Sequence, residues 1–349
     1  MTGRAWLGAV TCLLVVRAVH GQAAPTPAAR SFERGEQLFF QETFAGNGRT
    51  CATCHDPRDE FALSASLVQA RYALDPDHPL FRAIDSDEGD GRSYTRLLDH
   101  ALVRVTIPLH PNVWLVDEPR QRTIRVWRGV PSITNVALTA PYLQDGRAAT
   151  LPEQAHGAIL DHMEPGRRPS KPELDALATF MTAHFYPQRL SALGGEPDPR
   201  TLEPGFTVPV ESPAAVRGKQ SFDLHCRRCH GGETTQEPSE PDAPRFANVF
   251  VSEPNVPRLP LLRLAFRQPD GSVAVTLTPD PGRAALTGDL RDLNAFDTPS
   301  LRGVKHTAPY FHDNSANTLG EVVDHYDSHF QFHISASERD ALIAYLELL

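Results

Sequence analysis

The pentapeptide Cys51-Ala52-Thr53-Cys54-His55 recurs in the second half of the chain as Cys226-Arg227-Arg228-Cys229-His230. Cys-x-x-Cys-His is the attachment sequence of c-type haem, because the two thiols add across the haem vinyl groups and the histidine binds the iron. A redox-active cysteine pair or half of a zinc site would also bring two thiols together, but zinc sites more often show other ligand spacings. The sequence therefore predicts two covalently bound haem c groups, haem 1 on His55 and haem 2 on His230.

Length and charge limit the remaining options. A chain of 349 residues favours two domains, and a formal net charge of −9 argues against nucleic acid or an anionic membrane as partner. Residues 1–22 are typical of a secretory signal peptide, with Arg4 before an apolar run over residues 5–16. Arg17 and His20 are unusual in such a segment, so a retained N-terminal anchor is the alternative.

The cysteine inventory agrees with export. Cys12 lies within the predicted signal peptide, and the four other cysteines all belong to the two haem motifs, which leaves none for a disulfide. Beyond the signal peptide, no apolar run is long enough to span a bilayer. We therefore predict a periplasmic protein without stable membrane insertion.

An internal repeat sets the domain organisation. Residues 131–155 align without a gap on residues 299–323, and 12 of the 25 positions are identical. Candidate helix starts also recur at serine N-caps: Ser31, Ser170, Ser212 and Ser335. The sequence thus predicts an all-α protein of two tandem cytochrome c-like domains with long loops, residues 31–186 and 212–349. Residues 187–211, rich in proline and glycine, form the predicted linker.

The two halves differ where a second axial ligand of the iron would lie. The chain has no methionine in its second half, so haem 2 has no local methionine ligand. The repeat places Tyr326 opposite Ala158, and a phenol can ligate iron whereas a methyl group cannot. His325 is a competing ligand.

The same register places polar residues of the first half opposite apolar residues of the second. Gln154 is opposite Val322, and Glu164 is opposite Phe332. We therefore expect an open polar pocket at haem 1 and a closed site at haem 2. The alternative is that Tyr326 is only a packed aromatic and Glu164 only a solvated charge.

Three stretches resemble the bacterial di-haem cytochrome c peroxidase and MauG family: residues 296–302, residues 307–313, and residues 145–151 followed by Gln154 and Glu164. The resemblance covers nearly all of the predicted mature chain. It implies that haem 1 is the peroxidatic haem, with Gln154 and Glu164 lining its distal pocket. It also implies that haem 2 transfers electrons and that its sixth ligand lies at the position of Tyr326.

The chain departs from the family pattern at three places. The family's tryptophan between the haems is Gln144 here, so Tyr142 or Trp127 is the candidate substitute. An asparagine ligand of the family's Ca²⁺ ion is Gly129, which leaves only backbone groups near Thr307 and Pro309 for such an ion between the domains.

The third departure is a longer loop over residues 76–122. It contains His110, which could cap haem 1 in a resting state. A plain loop or core histidine is the alternative that we favour.

These observations predict an enzyme that reduces hydrogen peroxide at haem 1 with electrons passed through haem 2. The donor would be a small periplasmic protein, a cytochrome c or a cupredoxin. Glu164 would take the proton from one peroxide oxygen and return it to the other, and Gln154 would orient the peroxide. One alternative is MauG-like, peroxide-dependent oxidation of a partner protein's side chain. The other is a non-catalytic di-haem electron-transfer cytochrome.

Overall fold

The structure is a computed structural model that describes residues 26–183, 208–232, 235–253 and 259–349. The predicted signal peptide and most of the predicted linker lie outside these ranges. Within them, no helix combines the length and the apolar character needed to cross a membrane.

The described helices follow the sequence repeat. In chain order they are α1 Pro27–Gln41, α2 Ala65–Leu74, α3 Thr95–His100, α4 Leu151–His162, α5 Lys171–Thr182, α6 Pro213–His225, α7 Ala284–Thr287, α8 Leu319–Phe330 and α9 Ala336–Leu346. Helices α4 and α8 begin at equivalent leucines, and each starts with a threonine–glutamate capping box. The alignment of residues 131–155 on 299–323 is therefore structural as well.

Serine N-caps account for three of the four predicted helix starts. Ser170 and Ser335 cap α5 and α9 with capping boxes, and Ser212 caps α6 directly before Pro213. The prediction for Ser31 is wrong. Helix α1 begins at Pro27, because Thr26 accepts a hydrogen bond from the Ala29 amide and the proline fixes the first helical φ.

In each half, the first and last helices cross at a glycine. A Cβ atom on Gly35 of α1 would lie 2.0 Å from the carbonyl oxygen of Ala176 in α5. The equivalent contact joins α6 and α9, where a Cβ on Gly218 would lie 1.9 Å from the carbonyl oxygen of Ala341. The two helices of each pair approach so closely that only glycine fits between them.

The prediction of an all-α fold is wrong, because seven short strands form three sheets among the described residues. The strands are β1 Leu102–Pro108, β2 Val113–Leu115, β3 Thr123–Gly129, β4 Phe246–Asn248, β5 Leu262–Arg267, β6 Val273–Thr278 and β7 Ala295–Asp297. They pair antiparallel as β1–β3, β2–β5–β6 and β4–β7. Strand β1 alternates β-branched and polar residues, with Val103, Val105 and Ile107 on one face and Arg104 and Thr106 on the other, which is the two-residue period of a strand.

The insertion over residues 76–122 joins the two halves. Strand β2 pairs with β5 of the second half, with Val113 opposite Phe266. His110 lies against the second half as well, since its amide donates to the Ala285 carbonyl at 2.7 Å. His110 and strand β2 of the insertion thus pack on the second half, whereas β1 of the insertion pairs with β3 of the first half.

A buried ion-pair network also connects the halves. The Arg128 guanidinium, at the end of β3, lies 2.7 Å from the Asp145 carboxylate and 2.7 Å from the Asp280 carboxylate. Arg147 adds a second cation 2.5 Å from Asp145. Burial opposes the charged form of Asp145, but the two guanidinium charges outweigh it and lower its pKa. The network links β3 of the first half to the loop of the second half that contains Asp280.

Replacing Gly218 with alanine should destabilise the protein. The new methyl group would overlap the Ala341 carbonyl, and overpacking of this kind typically costs about 1–3 kcal/mol. Thermal unfolding of the haem-loaded protein, followed by circular dichroism, should show a lower midpoint for Gly218→Ala.

Gly320→Ala is the matched control, because its added Cβ would meet only the flexible end of Arg339 and alanine favours helix. We expect no loss of stability for this variant. If Gly218→Ala and Gly320→Ala unfold at the same temperature, the close crossing of α6 and α9 is not a constraint.

Candidate haem-binding cavity

A single cavity of about 1430 Å³ is lined by both halves of the chain. Ligand pockets commonly measure roughly 300–1,000 Å³, so this one exceeds the space of a single ordinary ligand. All six residues of the two motifs expected to hold haem line it: Cys51, Cys54, His55, Cys226, Cys229 and His230. The structure therefore brings both predicted attachment sites to one shared space.

Both motif histidines are held for metal binding in the same way. The Nδ1 atom of His55 lies 2.7 Å from the Phe61 carbonyl oxygen, and that of His230 lies 2.8 Å from the Thr235 carbonyl oxygen. A carbonyl can only accept, so Nδ1 carries the proton and Nε2 keeps its lone pair for a metal. Burial lowers the pKa of both imidazoles, which favours the neutral form that ligates iron.

The four motif cysteines are free thiols beside these histidines. Cys51 begins a short 3₁₀ turn, and Cys226 caps the C-terminus of α6. Burial raises the pKa of Cys51 and Cys226 to about 12, so both remain protonated thiols rather than reactive thiolates. Paired thiols, an oriented imidazole and a large, mainly apolar cavity fit a haem in each half.

The repeat helices α4 and α8 supply the opposite walls of this cavity. Ala158 of α4 and Tyr326 of α8 both line it, at equivalent positions. Burial raises the pKa of the Tyr326 phenol, and the nearby sulfur atoms of Cys226 and Cys229 raise it further. Tyr326 therefore lies next to the second haem motif, where the sequence places it.

His325 has a different environment. Its Nε2 atom lies 2.6 Å from the Val249 carbonyl oxygen, and it does not line the cavity. Of the two candidate ligands, only Tyr326 shares the cavity with His230.

The two predicted catalytic residues are not brought together. Gln154 lines the cavity one turn before Ala158. Glu164 is exposed and does not line it, and its carboxylate instead accepts a hydrogen bond of 2.9 Å from the Asn47 side chain.

The two candidate aromatic substitutes for Gln144 also separate. Tyr142 lines the cavity, and burial raises the pKa of its hydroxyl. Trp127 packs instead with Leu102 and Leu259 and does not line the cavity. Of these two aromatic residues, only Tyr142 lines the cavity that the haem motifs share.

His110 does not line the cavity. A Cβ on Gly288, in the second half, would lie 2.4 Å from its Nδ1 atom. The prediction that His110 could cap haem 1 is thus not supported by its position, because the insertion carries it onto the second half.

Gly129, where the family resemblance implies an asparagine ligand of Ca²⁺, packs against Asn314. A Cβ on Gly129 would lie 2.0 Å from Oδ1 of Asn314, whose amide donates to the His100 carbonyl at 2.9 Å. The described residues contain no cluster of three or more His, Cys, Asp or Glu side chains suited to a metal ion. Thr307 and Pro309 do line the cavity.

Sequence reasoning missed two residues of this region. Arg128 reaches the cavity from β3 and carries the ion-pair network, and His162 lines the cavity from the last residue of α4. The only sequence signal for Arg128 was an arginine between the apolar Trp127 and Gly129 at the end of β3. The signal for His162 was its position four residues after Ala158, which is itself four residues after Gln154.

Comparisons with known proteins agree with this geometry. A family model described as di-haem cytochrome c peroxidase matches residues 29–202. The cytochrome-c peroxidase IdrP2 of Denitromonas iodatirespirans is 43% identical, over 91% of this chain and 80% of that protein. The IdrP2 protein of Pseudomonas sp. (strain SCT) is 23% identical, over 97% of this chain and 89% of that protein.

Among solved structures, a MauG-like protein associated with microbial copper homeostasis has the same fold. Its TM-score is 0.51 at 18% sequence identity, with 93% of this chain and 91% of that chain covered. Together with the two haem motifs on one cavity, these relatives establish that the chain belongs to the di-haem cytochrome c peroxidase family and is a peroxidase enzyme.

Proposed function

We propose that the protein reduces hydrogen peroxide at haem 1 and receives the electrons through haem 2. The observation that carries this proposal is the difference between Ala158 and Tyr326 at equivalent places on the cavity wall. The methyl group of Ala158 would leave room for a small ligand at haem 1, whereas the phenol of Tyr326 would occupy the equivalent space at haem 2. When bound, the haem iron on His55 supplies the centre at which peroxide binds and exchanges electrons.

The residues around haem 1 would bind and orient the peroxide. Gln154 offers an amide that can both donate to and accept from the two oxygens. The family resemblance assigns proton transfer to Glu164. In this role the Glu164 carboxylate must leave the Asn47 amide, 2.9 Å away, and turn toward the cavity.

Haem 2 would be closed by its own half of the chain. His230 and Tyr326 would both hold this haem, which would then supply electron transfer without a site for peroxide. Tyr142 lines the cavity that both motifs share and is the aromatic residue proposed to help electrons pass between the haems.

Attachment of both haems through thioethers and export to the periplasm complete the proposal. The unpaired, cavity-facing cysteines support covalent attachment. The electron donor would be a small cytochrome c or cupredoxin. A Ca²⁺ ion would have only backbone groups near Thr307 and Pro309, so we propose none as a structural requirement.

The second candidate function is MauG-like oxidation of a side chain on a partner protein. Tyr326 beside the second haem motif favours it, because a phenolate ligand favours higher iron oxidation states than methionine does. A plain electron-transfer cytochrome is the third candidate, and it requires a sixth protein ligand on haem 1 as well.

Mass spectrometry of the protein, expressed in cells that mature c-type cytochromes, should show two haem adducts. Peptide mapping should place them on the cysteine pairs beginning at Cys51 and Cys226. A mass with one adduct or none, in cells that load a control cytochrome c fully, would contradict covalent attachment at both motifs.

The Tyr326→Phe variant should change haem 2 and leave haem 1 unchanged. Wild-type ferric haem 2 should be low-spin without a sulfur-to-iron charge-transfer band, and loss of the phenol oxygen should open its iron. Electron paramagnetic resonance will report this as a new high-spin signal. Tyr142→Phe is the matched control, and superimposable wild-type and Tyr326→Phe spectra would exclude Tyr326 as the ligand.

One equivalent of hydrogen peroxide, added to the diferric protein, should produce an oxidised state that a reduced small cytochrome c quenches. Stopped-flow absorbance would measure the oxidation of this cytochrome while the oxidised state of the protein decays. An oxidised state that ignores the cytochrome and decays only with a protein substrate would favour the MauG-like function. If the protein does not react with peroxide, the non-catalytic electron-transfer cytochrome is the function that the result supports.

A further inference from the structure

Among the residues of α4 and α8 that line the cavity, one row on each helix recurs at every fourth position. The row is Gln154, Ala158 and His162 on α4, and Val322, Tyr326 and Phe330 on α8. Residues four apart lie in a row along one helix face. On α8, a phenol is flanked by two apolar side chains. On α4, a methyl group is flanked by an amide on one side and an imidazole on the other.

The end of α4 that carries His162 is firmly held. The His162 carbonyl oxygen accepts hydrogen bonds from the Asn47 amide at 3.0 Å and from the Arg49 guanidinium at 3.3 Å. Arg49 is itself fully buried and lies 2.6 Å from Asp85. Both donors belong to the segment directly before Cys51, so the backbone of His162 is fixed relative to the first haem motif.

The His162 imidazole faces the cavity, whereas the Glu164 carboxylate does not. The imidazole is mostly buried, with 25% of its side chain exposed, and its Nε2 atom lies 3.9 Å from Asp161. The Asp161 carboxylate is in turn fixed by the Thr106 amide at 2.8 Å. Glu164 lies beyond the end of the helix and is bonded to Asn47.

We infer that His162 is an acid–base residue of the haem 1 pocket and faces Gln154 across the methyl group of Ala158. The inference rests on the proposed peroxide reduction at haem 1. The His162 imidazole accepts the proton of one peroxide oxygen and donates it to the other, and the O–O bond breaks as that oxygen leaves as water. Two electrons from the donor protein and two protons from solvent convert the remaining oxygen to the second water.

The test uses the haem-loaded protein and two ligands. A positioned acid–base group contributes about 10²–10⁴-fold, so both His162→Phe and His162→Gln should slow peroxide cleavage by that order. Hydrogen cyanide must also lose a proton to bind ferric haem, and its association rate should fall at least about tenfold in both variants. His162→Phe copies Phe330, the residue that α8 carries at this position, and should therefore fold.

His156→Phe is the matched control, because His156 lies on the same helix but does not line the cavity. It should keep both wild-type rates. Wild-type cyanide and peroxide rates in His162→Phe, with loss only in Glu164→Gln, would overturn the inference. A wild-type protein that binds cyanide faster than His162→Phe but does not cleave peroxide would contradict the proposed function and leave His162 as the pocket base.

Discussion

The buried guanidinium of Arg128 is the contact on which the two-haem arrangement most depends. It sits between Asp145 of the first half and Asp280 of the second, and all three side chains are buried. Removing one partner from a buried ion pair costs about 3–5 kcal/mol, because the remaining charge is left without compensation. Asp145 follows Gln144, which lines the cavity, so the network also fixes the cavity wall.

The repeat and its helices could be predicted from the sequence because their signals are local. The threonine and serine caps with glutamate three residues later, and the aligned stretches that contain Ala158 and Tyr326, define the helices and their register. The strands were not predicted, because the helical repeat dominated the sequence pattern and the pairing of β1 with β3 joins segments that lie apart in the chain. The helix start predicted at Ser31 was wrong because, in the sequence, a serine inside a helix resembles an N-cap.

The sequence motifs identified the residues that attach the haems, but not the residues that surround the open site at haem 1. Cys-x-x-Cys-His needs only neighbouring residues, so both attachment sites followed from the sequence. The position of Glu164 depends on how the chain leaves α4, and there a contact with Asn47 decides its direction. His162 could be identified as a candidate only after the structure showed which residues of α4 line the cavity.

Strand β2 gives the duplication a further consequence. It is encoded in the first half of the chain, yet it completes a sheet whose other two strands belong to the second half. Without it, β5 would present the unpaired backbone of an edge strand, which favours aggregation. The two repeats are therefore not interchangeable. The sheet is complete only when both halves of the chain are present, so a gene fragment for either half alone would encode an incomplete sheet.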